Sequence, residues 1–375
     1  RATVSVFHGL IERLGSFGIF TLEELKEFSN RITKAQAAKK HLAANIPASP
    51  GVYIFKDVRT YFTSNETRKR IREMIQITES IDCILTPTAL EAQVRELRLI
   101  QGAQPRYNRR SRNPERVAWI KLTDETFPRL VISKGAPIDP AGVIGPISGG
   151  AAIESAIAAI HEYLPIRQCK PKITEKSIKT AAPCILFEIN KCGAPCIGNQ
   201  SIASYNELIY NYQNLLENDF RVMHDFSNSK MTELSLAEKF EEAIEVRDRY
   251  SYLLRAAARI ERLHSIAKIP ELIVAKPLGD QWEFASIKYG RLAATNISTP
   301  TTSVSAAIET LEIIAEKVPN SGFLQQVNHE EVELILNYLE SEGVRLVKVE
   351  GEYSYALFGP NSQAARISNY DFAIA

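Results

Sequence analysis

Four of the five cysteines of this chain lie within 28 of its 375 residues. They are Cys169, Cys184, Cys192 and Cys196, spaced as C-x14-C-x7-C-x3-C. Thiols grouped in this way can surround one centre, and deprotonated sulfur is a soft ligand for an iron–sulfur cluster or a structural zinc ion. Two disulfides or four buried thiols are the alternatives. We find no signal-peptide pattern and no apolar run that could span a bilayer, so we expect a cytoplasmic, reducing location in which disulfides are disfavoured.

The composition is typical of a globular chain with two or three domains. Hydrophobic residues make up 45% and charged residues 24%, values typical of a soluble globular protein. The formal net charge of +1 does not by itself indicate an acidic partner. The distribution of charge does indicate an acidic partner, because the segment from Arg95 to Lys121 contains seven arginines and one lysine but only two glutamates. A solvated charged loop is the alternative explanation for this tract.

Hydrophobic periodicity predicts a mixture of helices and strands in the first half of the chain. The helical pattern over residues 1 to 42 is followed by alternating short strands and helices. A stretch rich in Gly, Ala, Pro and Ser, residues 135 to 151, is predicted to be a linker or a glycine-rich turn. The remaining predictions are strands at 50–55 and 81–86, helices at 66–80 and 89–101, and a hairpin of 119–122 with 129–133.

The second half is predicted to be mainly helical and then mixed. A helix at 152–163 precedes the cysteines, and a long helical run extends from about 202 to 267. Beyond it, residues 271–275 and 282–287 are predicted to form a hairpin, and residues 304–317 and 329–341 to form amphipathic helices. No element is predicted in the last 25 residues.

Several short motifs, taken in order, resemble the GIY-YIG nuclease domain. They are P-G-V-Y at 50–53, L-E-A at 90–92, L-I at 99–100 and P-R-Y-N at 105–108. The sequence F-P-R-L at 127–130, the four cysteines and a helical motif similar to the UVR element then follow, as in the N-terminal half of the UvrC component of the bacterial UvrABC excinuclease. The flanking regions resemble fusions of a DnaQ-like exonuclease with this nuclease. The acidic residues of such an exonuclease would precede Arg1, so we assign no exonuclease activity to the chain.

The resemblance implies an α+β multidomain protein with five segments. They are a helical tail of the exonuclease or a linker at 1–42, a GIY-YIG nuclease domain at 43–134, a four-cysteine metal module at 152–200, a helical UVR-like region at 201–267 and a C-terminal α/β region of unknown role at 268–375.

The resemblance also implies which residues cleave DNA. Glu96 would hold the divalent cation, Mg²⁺ or Mn²⁺, that polarises the scissile phosphate. Asn108, twelve residues later, would fix the local geometry, and the hydroxyl of Tyr53 would orient or deprotonate the attacking water. Tyr61 matches the tyrosine that follows the family's catalytic arginine. Without the resemblance, Glu96 would be interpreted as a solvated glutamate, Asn108 as a turn residue and Tyr53 as a core tyrosine.

The sequence departs from the family pattern directly after Asp57. The family continues there with a strand that carries the second half-motif and with a helix that begins at the catalytic arginine, but about twenty residues of this pattern are absent here. Alignment backward from Tyr61 places Asp57 at the position of that arginine. A carboxylate there would repel the phosphate, so we expect this chain to cleave DNA poorly or not at all.

The other implied sites lie outside the catalytic residues. The cysteine segment resembles one that carries an iron–sulfur cluster, so a [4Fe-4S] cluster is favoured over zinc. The UVR-like helix, with Phe240, Ala243 and Arg247, would bind the UvrB component of the excinuclease, although periodicity alone fits a helix packed internally equally well. The phosphate backbone of DNA would be contacted by the arginines of the tract, which are Arg106, Arg109, Arg110, Arg112 and Arg116.

These inferences together predict a metal-dependent DNA endonuclease of nucleotide excision repair. A non-catalytic DNA-binding or adaptor protein of the repair complex is the alternative that the departure after Asp57 favours. A zinc-stabilised scaffold unrelated to DNA is a third hypothesis.

Overall fold

The computed structural model describes residues 42, 46–47, 49–57, 78–105, 117–135, 137, 141–178, 181–299, 301–320 and 328–370. The chain forms two compact units, with the boundary between Thr86 and Pro87. The predicted helices before residue 42 lie outside the described residues, as do most of the predicted helix at 66–80 and residues 106–116. The prediction of an α+β multidomain protein is confirmed.

The described part of the first unit is an antiparallel pair of strands. Strand β1 (Gly51–Asp57) pairs with strand β2 (Thr78–Leu85), and the register becomes irregular between Lys56 and Asp57. Val52 is buried on this pair. Both predicted strands are confirmed, but the predicted helix at 66–80 is wrong at its end, because residues 78–80 belong to β2. Residues Ile81 to Leu85 pair with β1 at every position from 51 to 55, and Ser80 and Thr78 continue the pairing to Lys56 and Asp57.

The second unit begins with helix α1 (Ala89–Ala103), which carries Glu96. Thr88 starts this helix as its N-cap, because its side chain accepts a hydrogen bond from the backbone nitrogen of Glu91 at 3.1 Å. The helix ends at Gln104, which adopts the left-handed conformation. Leu90, Val94 and Leu97 recur at helical spacing and are buried, so one face of the helix is committed to packing.

A three-stranded antiparallel sheet follows, with the order β4-β3-β5. Strands β3 (Ala118–Leu122) and β4 (Leu130–Ser133) form the predicted hairpin. Strand β5 (Ile144–Ile147) was not predicted, and its four residues are all buried. The prediction of a linker at 135–151 is therefore wrong for these residues, and also for Gly150 and Ala151, which begin helix α2 (Gly150–Tyr163).

Helices make up the middle of the second unit. Short helices α3 (Glu175–Ile178) and α4 (Ile185–Glu188) lie in the cysteine segment. The predicted long run is three helices: α5 (Ile202–Glu217), α6 (Arg221–Leu236) and α7 (Phe240–Ala267). Residues of α2, α5, α6 and α7 pack with the β4-β3-β5 sheet into one large core.

The C-terminal region is a second sheet with helices. Its antiparallel strands have the order β8-β7-β6-β9 and are β6 (Glu271–Leu278), β7 (Gln281–Lys288), β8 (Arg291–Ser298) and β9 (Arg345–Glu350). The helices of this region are α8 (Val304–Ile314), α9 (His329–Leu339) and α10 (Pro360–Tyr370). The hairpin and two helices were predicted, whereas β8, β9 and α10 were not. A second core joins α7, α9 and this sheet to helix α1.

Across the residues that the structure describes, the helices are too short or too polar to cross a membrane.

Candidate nuclease helix and cysteine segment

Glu96 lies on the solvent-exposed face of helix α1. Among the described residues, no side chain forms a hydrogen bond or an ion pair with its carboxylate. Mg²⁺ in proteins is commonly held by one or two carboxylates and completed by water and substrate phosphates. The exposed carboxylate of Glu96 is compatible with that mode of binding.

The other predicted catalytic residues belong to the first unit or lie outside the described residues. Tyr53 is in β1, in the first unit, where it is 36% exposed and its hydroxyl donates a hydrogen bond to the carbonyl of Pro47 at 3.0 Å. That bond fixes the direction of the phenol. Tyr61 and Asn108 lie outside the described residues, and so do all five arginines of the predicted DNA-binding tract, which are Arg106, Arg109, Arg110, Arg112 and Arg116.

The four cysteines of the clustered segment are all free thiols and differ in exposure. Cys192 is buried, Cys169 and Cys196 are partly buried, and Cys184 is exposed as the N-cap of helix α4. Cys196 sits in a single 3₁₀ turn, Pro195–Ile197, which is preceded by Ala194 in the left-handed conformation. Short elements joined by tight turns therefore bring this part of the chain back on itself.

The thiols are close enough to affect one another. Burial raises the pKa of Cys192, and the neighbouring sulfurs of Cys169, Cys184 and Cys196 raise it further. The pKa of Cys196 is raised in the same way, first by burial and then by Cys169 and Cys184. Within the described ranges, however, no three Cys, His, Asp or Glu side chains converge tightly enough to hold a metal ion in this arrangement.

Arg167, which sequence reasoning missed, organises the start of the cysteine segment. Its side chain is completely buried and pairs with Glu125 at 2.5 Å. It also donates to the carbonyls of Phe127 at 2.6 Å and Cys169 at 2.7 Å, and to the sulfur of Cys169 at 3.4 Å. The hairpin of β3 and β4 is thereby tied to the first cysteine. A lone arginine in a polar stretch carries no sequence signal of such burial.

Helices α6 and α7 form a hairpin whose tip exposes apolar side chains. Leu234, Ala243 and Val246 pack between the two helices. Outside this small core, Leu236 is 83% exposed and Phe240 is 60% exposed. Arg247 is also exposed and donates to the neighbouring Asp248. Of the three residues predicted to bind a partner, Phe240 and Arg247 face solvent, and Ala243 packs inside the hairpin.

The fold and these sites define a multidomain α+β protein in which a helix with an exposed carboxylate precedes a thiol-rich module and a helical hairpin. Comparison with protein families identifies the modules. Residues 53–109 match the UvrC-like GIY-YIG domain, and residues 117–214 match the middle domain of the UvrC/Cho excinucleases. Both matched stretches are therefore similar to domains of UvrC-like proteins.

Curated relatives align with long stretches of the chain. A protein of Mycobacterium tuberculosis, whose name describes a bifunctional exonuclease/endonuclease, is 32% identical over 373 residues, which cover 94% of this chain and 57% of that relative. UvrABC system protein C of Salinibacter ruber is 32% identical over 228 residues, which cover 56% of this chain and 36% of that protein. The corresponding protein of Clostridioides difficile is 31% identical over 235 residues, with coverages of 57% and 38%. The resemblance to exonuclease/GIY-YIG fusions and to UvrC proteins is confirmed.

The chain spans 57% of the first of these relatives and less than two fifths of the other two. No solved structure gives a significant match.

Proposed function

We propose that the chain is a DNA endonuclease of nucleotide excision repair that works in the cytoplasm. The observation that carries the proposal is the order of its modules, since a UvrC-like GIY-YIG domain is followed directly by a UvrC middle domain. DNA would be the substrate, and hydrolysis of one phosphodiester bond the reaction.

Two described residues would serve this chemistry. The exposed carboxylate of Glu96 would hold Mg²⁺ or Mn²⁺, and a bound cation of this kind supplies charge stabilisation at the scissile phosphate. As the family resemblance implies, Tyr53 would orient or deprotonate the attacking water; its hydroxyl donates a hydrogen bond to the carbonyl of Pro47, which leaves the oxygen to accept one. Asn108 and Tyr61 would complete the site, as the family resemblance implies.

A second candidate function is that of a DNA-binding adaptor without nuclease activity. It is favoured by the sequence after Asp57, where the second half-motif of the family is missing and a carboxylate stands at the place of the catalytic arginine. Strand β1 ends at this same residue, and its pairing with β2 becomes irregular there. A site without a positively charged side chain at this position would lose stabilisation of the developing charge.

A nicking assay separates the two functions. The full chain is incubated with a lesion-bearing duplex and Mg²⁺ or Mn²⁺, beside the variants Glu96→Gln and Glu342→Gln. Glu342 is an exposed glutamate outside the proposed site and serves as the matched control. Nicking that Glu96→Gln abolishes and Glu342→Gln leaves intact supports the endonuclease. Duplex binding without nicking supports the adaptor, and the absence of both contradicts each function.

The arginine tract at 106–116 would bind the DNA backbone. The logarithm of the binding constant falls linearly with the logarithm of the salt concentration, and removal of one arginine–phosphate pair should make this slope less steep by about 0.9. We expect a double variant, Arg109→Gln with Arg110→Gln, to bind duplex less tightly and with a shallower salt dependence. An unchanged slope would mean that the tract is a solvated loop.

The cysteine segment would hold a [4Fe-4S] cluster, with zinc as the alternative. The donor set supports this proposal: burial raises the pKa of Cys192 and the other three thiols raise it further, so the four thiolates would repel one another and a bound metal centre would relieve that repulsion. Cys169, Cys184, Cys192 and Cys196 would be the ligands, and their side chains would have to move together to bind. The bound centre would brace the segment between the nuclease domain and the helices.

Metal analysis and thiol labelling test the cysteine proposal. Anaerobically purified protein should absorb in the visible range and contain iron. A colourless protein that contains zinc would show that the segment binds zinc and not a cluster. The four cysteines should then resist iodoacetamide, while Cys83 serves as the internal control. After the metal is removed, exposed Cys184 should react first and buried Cys192 last, because burial raises the pKa of Cys192. Protein with neither metal and no protection would contradict the proposal.

The tip of the α6/α7 hairpin would bind the UvrB component of the excinuclease. Leu236 and Phe240 form an exposed apolar surface beside Arg247, which is the composition expected of a helix that pairs with a partner. We expect Phe240→Asp to weaken binding at least tenfold, a loss of about 1.4 kcal/mol. Tyr210→Asp, at a 64% exposed aromatic residue of α5, is the matched control. Equal binding by both variants would place the interaction elsewhere.

A further inference from the structure

The apolar face of helix α1 is buried in the C-terminal region of the chain. Leu90 and Val94 belong to one core cluster with Leu292 of β8 and with Val332 and Ile335 of α9. Leu90 is 3% exposed and Val94 is 2% exposed. The helix that carries Glu96 therefore shares its core with residues that lie about two hundred positions later in the chain.

An ion pair between Arg98, whose side chain is 33% exposed, and buried Glu331 fixes this contact. The Nε of Arg98 donates to Glu331 Oε2 at 3.0 Å, and its Nη2 donates to Glu331 Oε1 at 2.7 Å. The same Nη2 also donates to the carbonyl of Leu292 at 2.9 Å. Glu331 is 2% exposed and accepts the backbone nitrogen of Leu292 at 3.0 Å. A bidentate arginine–carboxylate pair with every partner satisfied sets direction as well as distance.

Two more side-chain contacts hold the ends of helix α1. Near its start, the hydroxyl of Thr295 donates to the carboxylate of Glu91. Near its end, Nδ2 of Asn328 donates to Gln101 Oε1 at 2.6 Å. With Arg98 between them, these anchors lie along the whole helix, so that it can neither rotate nor slide without breaking hydrogen bonds.

The anchored face and the face of Glu96 are opposite. At 3.6 residues per turn, Glu96 lies about 160° around the helix from Val94. Glu96 is accordingly exposed, whereas Leu90, Val94 and Leu97 are buried. Any rotation of the helix on its base would turn the carboxylate of Glu96 by the same angle.

We propose that the C-terminal α/β region, residues 271–350, is the platform that orients the nuclease helix, and that Arg98 and Glu331 are its positioning residues. The part of the proposal that concerns catalysis rests on the proposed role of Glu96 in binding the cation. The region would thus act on the reaction without touching the substrate, by holding the carboxylate in one direction.

Hydrogen exchange of the full chain tests the docking directly. Arg98→Met leaves the buried charge of Glu331 unpaired, and Glu331→Gln removes that charge but keeps an oxygen for Leu292. We expect amides of residues 93–103 to exchange about tenfold faster in each variant. Gln93→Met is the matched control on the same helix, since Gln93 is exposed and makes none of the anchoring contacts described above. Unchanged exchange in both test variants would overturn the docking.

Binding of Mn²⁺, measured by electron paramagnetic resonance with an uncleavable phosphorothioate duplex, tests the positioning. We expect Glu96→Gln to lose the bound ion without faster exchange in helix α1, and Arg98→Met to weaken binding about tenfold with faster exchange. Partial recovery in Arg98→Lys would support the same conclusion, because lysine restores the charge but not the bidentate geometry.

The possible outcomes separate this inference from the proposed function. If Arg98→Met loosens the helix and Mn²⁺ affinity stays constant while Glu96→Gln loses the ion, the positioning role is overturned. If Glu96→Gln keeps the ion, the metal role of Glu96 fails and the positioning with it, whatever the exchange data show. Should Arg98→Met not fold, the milder variant Asn328→Ala, which removes only the bond to Gln101, replaces it with the same expected direction.

Discussion

At the scale of single residues, Arg167 shows how strongly one side chain can organise the cysteine segment. It is fully buried, and among the described residues its charge is balanced by Glu125. We expect Arg167→Met to destabilise the second unit by roughly 3–5 kcal/mol, because Glu125 keeps only the longer contact with Arg129 and the carbonyls of Phe127 and Cys169 lose their donor. Calorimetry should show a fall of about 10 °C in melting temperature. Arg247→Met, at an exposed arginine, is the control, and an equal melting temperature for both variants would contradict the prediction.

His161 should make stability depend on pH. Burial lowers its pKa from the ordinary 6.5 to about 4, against the opposing effect of a hydrogen bond with the backbone of Ile166. Between pH 6.5 and pH 4, His161 is therefore protonated in the unfolded chain but not in the folded chain. The free energy of unfolding falls as the pH falls through this range. The full effect is roughly 3 kcal/mol.

The variant His161→Gln should reduce this pH dependence, because glutamine does not titrate. Melting temperatures measured between pH 7 and pH 5 should decline less steeply for the variant than for the parent chain. Parallel curves would mean that other groups carry the effect. His224, His264 and His329, whose pKa values burial also lowers, contribute to the part of the slope that the variant should retain.

At the scale of elements, turns with positive φ fix the C-terminal sheet. Tyr289 and Gly290, with φ of 49° and 74°, join β7 to β8 in a two-residue turn. A Cβ on Gly290 would lie 3.2 Å from the Cα of Ala267, whereas a Cβ on Gly279, in the preceding turn with φ of 59°, would meet no atom within 4 Å. The two glycines therefore separate backbone strain from crowding.

We expect Gly279→Ala to cost about 1 kcal/mol, because alanine resists a positive φ. Gly290→Ala should cost a further 1–3 kcal/mol or so, since its methyl group also displaces helix α7. Equilibrium unfolding in urea measures both changes. An equal loss in the free energy of unfolding for the two variants would mean that Ala267 and its neighbours move aside without destabilising the fold.

The elements that sequence reasoning missed had weak local signals. Strand β5 contains Gly145 and Pro146, residues typical of turns, and its strand conformation depends on burial against β3 and α2. The helical run was predicted as continuous because its two breaks, at 218–220 and 237–239, lack glycine and proline. In the second break Glu238 adopts a φ of 60°. Helix α1 and the strand pairs were predicted because periodicity and caps are local properties.

In the candidate site too, a residue with a local sequence signal was predicted and a residue that depends on a distant contact was not. Glu96 could be selected through a motif that lies within a short stretch of sequence, and its exposure agrees with a ligand-binding role. Arg98 was passed over, although it lies only two residues away, because its partner Glu331 is 233 positions further along the chain. Contacts of that range follow from tertiary packing, and neither charge pattern nor periodicity within a window of one helix predicts them.

At the scale of the whole molecule, the buried clusters predict which pieces of the chain can fold. All the described core clusters consist of residues from Leu90 onward. Helix α7 contributes Leu253 to the first core and Leu263 to the second, so one long helix connects the two. A piece that keeps residues 87–375 therefore keeps every one of these contacts.

Two truncations test this organisation. We expect the piece 87–375 to retain its helical circular dichroism and a cooperative melting transition. The piece 1–268 loses Val332, Ile335 and Leu336, which cover Leu90 and Leu263 in the second core. It should bind a hydrophobic dye such as ANS, and its amides in helix α1 should exchange at nearly the rate of an unfolded chain. A piece 1–268 that protects helix α1 as well as the full chain does would show that the nuclease helix needs no support from the C-terminal region.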